Sequence, residues 1–128
     1  MQEYLLYLAC YGAFVIFVIL VQVLISAQQV GLSTLAGNRE ALILTGAAGR
    51  MERTANNSLL ALALVAPAVG MIYAAGTAPD LANLLVLTFL VARIFYVALY
   101  AFGITWLRTA AWMVAFLSTA LLYLQLLL

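Results

Sequence analysis

The chain has 128 residues, of which 69% are hydrophobic and 7% are charged, and its net charge is +1. Soluble domains are roughly half apolar, so this composition indicates an integral membrane protein and excludes a soluble one. A spanning helix needs about 20 apolar residues, so the length allows a single domain of four spans and excludes a larger transporter. The sequence has no Lys, no His and one cysteine, Cys10, which excludes a basic nucleic-acid surface, a Cys/His metal site and an intrachain disulfide.

The first half of the chain predicts two long membrane helices. The first covers about 4–36, contains no charge after Glu3, and ends in the turn AGNRE over 36–40. Because no Arg or Lys precedes its apolar run, we expect this helix to remain in the mature protein rather than to be cleaved as a signal. The second helix covers about 42–75 and contains Pro67, which removes a backbone N–H and predicts a kink.

The second half predicts two shorter helices, at about 81–101 and 105–127. Between the second and third helices, Gly76 is a helix stop, and Pro79 and Asp80 are a helix start. The short FGIT turn separates the third helix from the fourth. The sequence therefore predicts an all-α, integral membrane four-helix bundle.

The arginines predict the orientation of this bundle. In an up-and-down arrangement, all five lie toward the membrane side at which the first and third helices end, which we call the arginine side. The members of this set are Arg39, Arg50, Arg53, Arg93 and Arg108. Basic residues favour the cytoplasmic side, so we expect both termini to lie on the non-cytoplasmic side.

A polar stripe runs along the second predicted helix. Arg50, Arg53 and Asn57 are spaced i, i+3 and i+7 in the segment GRMERTANNSLL, which places them on one helical face. An arginine within the hydrocarbon costs about 2.5–3.5 kcal/mol unless it faces the bundle interior, water or the headgroups. The stripe therefore predicts a shared polar cavity.

The third and fourth helices carry matching residues. Arg93, Tyr96 and Tyr100 have the same i, i+3, i+7 spacing, and Arg108 begins the fourth helix. Guanidinium groups bind carboxylates and other anions, and phenol hydroxyls donate to an oxyanion or a thiolate. With no His and only Glu52 nearby, the pattern favours binding of a small polyanion and stabilisation of a developing negative charge over general acid–base chemistry.

Two simpler interpretations compete with a site. Arg50 and Glu52 can anchor the helix end at the membrane surface, and Arg93 can form a structural pair with Glu52 or with a backbone carbonyl.

A small multidrug exporter has the right size, but it needs a carboxylate within the first membrane helix. That helix has only Glu3 at its terminus and Gln22 near its middle, which disfavours an exporter.

With these motifs the sequence resembles the MAPEG family, the membrane-associated proteins in eicosanoid and glutathione metabolism. The family pattern in the second helix is Arg, two residues, Arg, three residues, Asn, two residues and Glu, and RMERTANN matches its first three members with Arg50, Arg53 and Asn57. The segment GNRE before this helix resembles bacterial members of the family, which implies the bacterial inner membrane.

The later family pattern is an Arg, an aromatic residue or His three positions on, a Tyr four beyond it, a turn, and an Arg that opens the fourth helix. The segment ARIFYVALYAFGITWLRT matches this pattern with Arg93, Tyr96, Tyr100 and Arg108. The resemblance covers nearly the whole chain, and its motifs are concentrated in 37–109.

The resemblance implies a homotrimer of four-helix bundles that binds glutathione between adjacent subunits near the cytoplasmic side. By carry-over, Arg53 and Asn57 hold the polar groups of glutathione and Arg108 stabilises its thiolate. Arg93, Tyr96 and Tyr100 line the same pocket by the same carry-over. Arg50 matches the first arginine of the motif and is included in this glutathione-binding set, where its implied role is structural. The implied activity is that of a glutathione transferase or peroxidase, with thiolate attack on a lipophilic electrophile from the bilayer.

One position departs from the family pattern. The motif glutamate falls at Leu60, so the ammonium group of glutathione loses a charged hydrogen bond of about 1.5–3 kcal/mol. Glu52 lies about 12 Å earlier along the helix and does not replace it. Three expectations stay open at this point: weak glutathione binding, a different ligand, or a vestigial site.

A non-catalytic role is the alternative function. Small residues permit close helix contact in membranes, and they are frequent in GAAG at 46–49 and at Ala61, Ala63 and Ala66. This pattern is consistent with an accessory or scaffold subunit of a larger membrane complex.

Overall fold

The computed structural model of the protein describes residues 1–37 and 42–128. Its helices are α1 (Glu3–Val30), α2 (Leu32–Ala36), α3 (Gly46–Ala75), α4 (Pro79–Ala101) and α5 (Thr105–Leu127). Four of them, α1, α3, α4 and α5, are long and apolar enough to cross a membrane. The prediction of an all-α integral membrane bundle of four spanning helices is confirmed.

The two middle spans, α3 and α4, form the centre of the bundle. They contact each other, and each also contacts α1 and α5. Within the described chain α1 and α5 do not touch, so they lie on opposite sides of the central pair. Every spanning helix keeps a large apolar surface exposed on the outside, as expected where lipid replaces water.

The first predicted helix, 4–36, is divided in the structure. Gly31 has φ 87° and ψ 149° and separates α1 from the short α2. A positive φ of this kind is strained for residues with a Cβ atom but not for glycine. The charge pattern does not register the break, because uncharged residues continue on both sides of it. The predicted turn at 36–40, including Arg39, lies partly outside the described residues.

The start of α3 also differs from the prediction, since the helix begins at Gly46 rather than near 42. Thr45, the residue before Gly46, is extended, and the side chain of Gln29 near the end of α1 holds it in this conformation. Its amide nitrogen donates to the Thr45 carbonyl oxygen at 2.9 Å, and its amide oxygen accepts from the Thr45 N–H at 3.0 Å. Gly46 then turns the chain into the helix with φ 58°.

The turn between α3 and α4 lies on the membrane side opposite the arginine side. Gly76 adopts the left-handed conformation with φ 64° directly after α3, and Pro79 is the first residue of α4. Asp80 lies in the first turn of α4, where its negative charge complements the positive end of the helix dipole.

Pro67 lies inside α3, which continues through it to Ala75. The proline leaves the carbonyl of Ala63 without its helical donor. The next carbonyl along the helix, that of Leu64, accepts a hydrogen bond from a neighbouring helix: the Tyr123 hydroxyl of α5 donates to it at 2.7 Å. This bond joins α5 to α3 where the backbone ladder of α3 is interrupted.

Candidate functional site

Most of the residues predicted for the site lie in two neighbouring groups of the bundle. The inner cluster consists of Arg93 with its partners Asn57, Ser58 and Tyr11. The rim cluster consists of Arg53, Tyr100 and Arg108 and lies nearer the arginine side. Together they contain all the residues predicted for the site except Arg50 and Tyr96.

The inner cluster is built around one buried guanidinium. Arg93 is 1% exposed and lies about 12 Å from the end of α4 at 1.5 Å per residue. Its Nη1 donates to Asn57 Oδ1 at 2.9 Å, its Nη2 to Ser58 Oγ at 3.3 Å, and its Nε to Tyr11 Oη at 3.3 Å. The Tyr11 hydroxyl in turn donates to the Ser58 carbonyl at 3.0 Å. One side chain of α4 is thus tied to both α1 and α3.

The charge of Arg93 is not neutralised by a carboxylate of the described chain. All three hydrogen-bond acceptors are neutral, and the guanidinium carbon lies 4.2 Å from the centre of the Tyr96 ring, a cation–π contact. The alternative pair with Glu52 is not formed, since Glu52 is exposed on α3. The bundle interior therefore holds a positive charge that no described carboxylate neutralises.

The rim cluster places two arginines on one phenol. Arg53 Nε donates to Tyr100 Oη at 2.8 Å, and the guanidinium carbon of Arg108 lies 4.3 Å from the centre of the Tyr100 ring. Arg108 donates no side-chain hydrogen bond to the described residues, so its five N–H groups are open to a ligand.

Gly49, one helical turn before Arg53, packs closely against the chain that precedes α3 and against the Arg53 side chain. A Cβ atom on Gly49 would lie 3.4 Å from Arg53 Nη1 and 2.7 Å from the carbonyl oxygen of Leu44. The second distance is far too short for a real contact, so the segment before α3 folds back closely on this helical turn only because residue 49 has no side chain.

Tyr96 lies between the two clusters. Its ring is 5% exposed, faces Arg93, and meets the Tyr100 ring edge-on with 5.7 Å between centres. The prediction that Arg93, Tyr96 and Tyr100 share one face of the third helix agrees with this row of contacts.

Arg50 is separate from both clusters. It is half-buried, and its Nε is buried without a hydrogen-bond partner. Its predicted stripe partners Arg53 and Asn57 bond instead to Tyr100 and Arg93. Shared helical spacing thus placed these three residues on one stripe, although they do not form one group.

A groove of about 350 Å³ continues from the clusters between α3, α4 and α5. Asn57 and Arg93 lie at its polar end. Its walls are mainly apolar and include Leu60, Leu64, Phe89, Trp112, Phe116 and Tyr123. Leu60 is 59% exposed and Phe116 is 48% exposed, so the groove opens on the lipid-facing surface.

The rim cluster lies one helical turn from this groove. Arg53 precedes Asn57 by four residues on α3, and Arg108 precedes Trp112 by four on α5, about 6 Å along each helix. The arrangement is a cationic mouth at the arginine side that leads into an apolar slot, which suits an anionic head and a lipophilic molecule side by side.

Sequence reasoning missed two members of the inner cluster, Tyr11 and Ser58. Tyr11 is 0% exposed, yet α1 carries no charged residue after Glu3 that would mark its polar face. The only signal was a phenol in the interior of an apolar helix, which requires a hydrogen-bond partner. Tyr123 also carries no motif in the sequence, but its hydroxyl bonds to α3 and its side chain lines the groove.

Comparison with known proteins agrees with this architecture. A search of the curated proteins found no match for the chain. A sequence model described as the MAPEG family matches residues 5–128, nearly the whole chain. On this match the chain belongs to the MAPEG family.

Proposed function

We propose that the protein binds glutathione at the rim cluster and transfers its thiolate to a lipophilic electrophile that enters the groove from the bilayer. One observation carries the proposal: arginines that no described carboxylate neutralises lie at the mouth of an apolar groove that opens on the lipid surface.

The rim cluster supplies the groups that a thiolate and a carboxylate need. Arg53 and Arg108 flank Tyr100, and guanidinium N–H groups form strong charge-assisted hydrogen bonds to anions. A guanidinium beside a thiol favours the thiolate, which is the nucleophilic form. Arg108 has the most free donors, so we assign it the role of stabilising the thiolate.

The remaining predicted residues support this site. Asn57 donates to the polar groups of glutathione, and Arg93 adds positive charge from the interior side of the site. Tyr96 holds Arg93 and Tyr100 in place through its ring contacts. Arg50 has a structural role near the start of α3.

The reaction proposed is a substitution or a peroxide reduction. With an aryl chloride, the sulfur forms a bond to the ring carbon, chloride leaves, and the thiol proton passes to water. With a lipid hydroperoxide, two glutathione molecules are oxidised to the disulfide while the peroxide is reduced to an alcohol and water.

We also propose that the active form is a homotrimer in the bacterial inner membrane with both termini on the non-cytoplasmic side. The open outer wall of the groove supports assembly, because a second copy of the chain against Leu60 and Phe116 would close it. The position of the described arginines toward one membrane side supports the orientation.

A non-catalytic subunit of a larger membrane complex is the second candidate. The observation that favours it is that Asn57 Oδ1 already accepts from Arg93 while Leu60 places hydrocarbon beside them. Under this hypothesis the inner cluster only fixes the helices, and the protein purifies with an unrelated membrane complex at fixed stoichiometry.

Conjugation of glutathione to 1-chloro-2,4-dinitrobenzene by the purified protein in detergent tests the first proposal. We expect activity in the wild type and a loss of at least about tenfold in Arg108→Ala, because one charge-assisted hydrogen bond is lost. Thr109→Ala is the matched control, since the Thr109 hydroxyl bonds only to its own helix. No glutathione binding by calorimetry would refute the proposal.

A further inference from the structure

The hydrogen bond from Arg93 fixes the orientation of the Asn57 amide. A guanidinium has only donors, so the group that Asn57 turns toward Arg93 Nη1 is its carbonyl oxygen, at 2.9 Å. The amide nitrogen has no partner among the described residues. Because Asn57 lines the groove, its two N–H groups are the part left for a ligand.

The polar end of the site is therefore made of donors. Asn57 presents an amide N–H₂ group, and Arg53 and Arg108 present guanidinium N–H groups. Tyr100 Oη already accepts from Arg53, which leaves its O–H to donate. The hydroxyls of Thr119 and Tyr123 can accept a hydrogen bond, but they are uncharged and lie toward the apolar end of the groove.

No described carboxylate faces this site. Glu52 is exposed and does not line the groove, and Glu3 and Asp80 lie near the opposite membrane side. One turn beyond Asn57, the wall of the groove is the hydrocarbon side chain of Leu60. An ammonium group bound here would meet arginines and hydrocarbon, without a negative charge to pair with.

We propose that this site selects thiols that carry carboxylate or other acceptor groups but no free ammonium group, such as a glutathione-like peptide whose α-amine is acylated or absent. The inference rests on the proposed function, since it specifies the co-substrate of the same site. Leu60 is its specificity-determining residue.

The test compares glutathione with N-acetylglutathione, which keeps the thiol and both carboxylates but has no ammonium group. Calorimetry on the purified full-length protein in detergent gives both dissociation constants. We expect the acetylated thiol to bind about tenfold more tightly or better, since a charged group without a partner is removed. Leu60→Glu should reverse this preference, and Leu60→Gln, which has similar size without charge, should leave the order as in the wild type.

The outcomes separate the two proposals. Equal binding of both thiols, or tighter binding of glutathione, by the wild type overturns the selection against ammonium and leaves the proposed function standing. Binding of neither thiol overturns the proposed function and the inference with it. Because the wild-type comparison needs no variant, it decides the question even where Leu60→Glu does not fold.

Discussion

The inner and rim clusters use the same residue types in opposite ways. In the inner cluster, Arg93 is 1% exposed and bonds to side chains of α1 and α3. In the rim cluster, Arg53 and Arg108 share one phenol and keep most of their donors free. Identical helical spacing can thus produce a buried junction at one depth and a group of arginines with free donors one turn away.

Membrane depth accounts for this difference. A guanidinium near the middle of the bundle has no water to solvate it, so each N–H without a partner is costly. Toward the arginine side, water and headgroups can solvate the same group, and free donors are tolerated. We therefore expect the loss of an inner-cluster hydrogen bond to lower stability, and changes to the charge or to the free donors of the site to change ligand binding.

Asn57→Leu should have the largest effect on stability. It removes the acceptor of a buried charged donor and should lower the free energy of unfolding by about 2 kcal/mol, measured by denaturant titration in mixed micelles. Asn56→Leu is the control, because Asn56 is exposed on the same helical turn and should change stability by less than about 0.5 kcal/mol. Equal effects of the two substitutions would remove the distinction between an inner junction and the rest of the helix.

Tyr11→Phe should have an intermediate effect. The ring stays against Phe89, with which it makes an edge-on contact at 4.8 Å, but the hydroxyl that joins Arg93 to the Ser58 carbonyl is lost. We expect a loss of about 1 kcal/mol in the same titration. Tyr7→Phe is the control: Tyr7 lies on the same helix, its hydroxyl has no bond to the described residues, and the free energy of unfolding should not change. If Tyr11→Phe also leaves the free energy of unfolding unchanged, α1 does not hold Arg93.

Tyr100→Phe should have the smallest effect on stability and a clear effect on binding. The ring that lies under Arg108 remains, while the acceptor of Arg53 is lost at a half-exposed position. We expect a stability change below about 0.5 kcal/mol and a glutathione affinity about fivefold weaker, the equivalent of one hydrogen bond. A large loss of stability with unchanged affinity would place Tyr100 with the inner cluster instead.

The sequence predicts the number of spans well and their interruptions poorly. Long apolar runs and the signals at Gly76 and Pro79 define where helices can lie. The break at Gly31 and the late start at Gly46 depend instead on backbone conformation and on the bonds between Gln29 and Thr45.

For the candidate site, spacing predicts which residues share a helical face but not which residue of the neighbouring helix each one contacts. Arg53 and Asn57 belong to one stripe, yet one bonds to Tyr100 and the other to Arg93. That division depends on the rotation of α4 against α3, which is set by the packing of the whole bundle. Tyr11 joins from α1, where no motif marks it.

The most direct test of the account is glutathione binding by Asn57→Asp. The substitution keeps an oxygen against Arg93, neutralises its charge and replaces the amide donors with a carboxylate oxygen, so the fold should keep its stability. We predict that calorimetry on the folded variant will give an affinity at least about tenfold weaker than that of the wild type, while Asn56→Asp, with the same charge on an exposed position, stays close to the wild type. Wild-type affinity in a stable Asn57→Asp protein would contradict the claim that the positive charge and the hydrogen-bond donors at the polar end of this groove make an anion site.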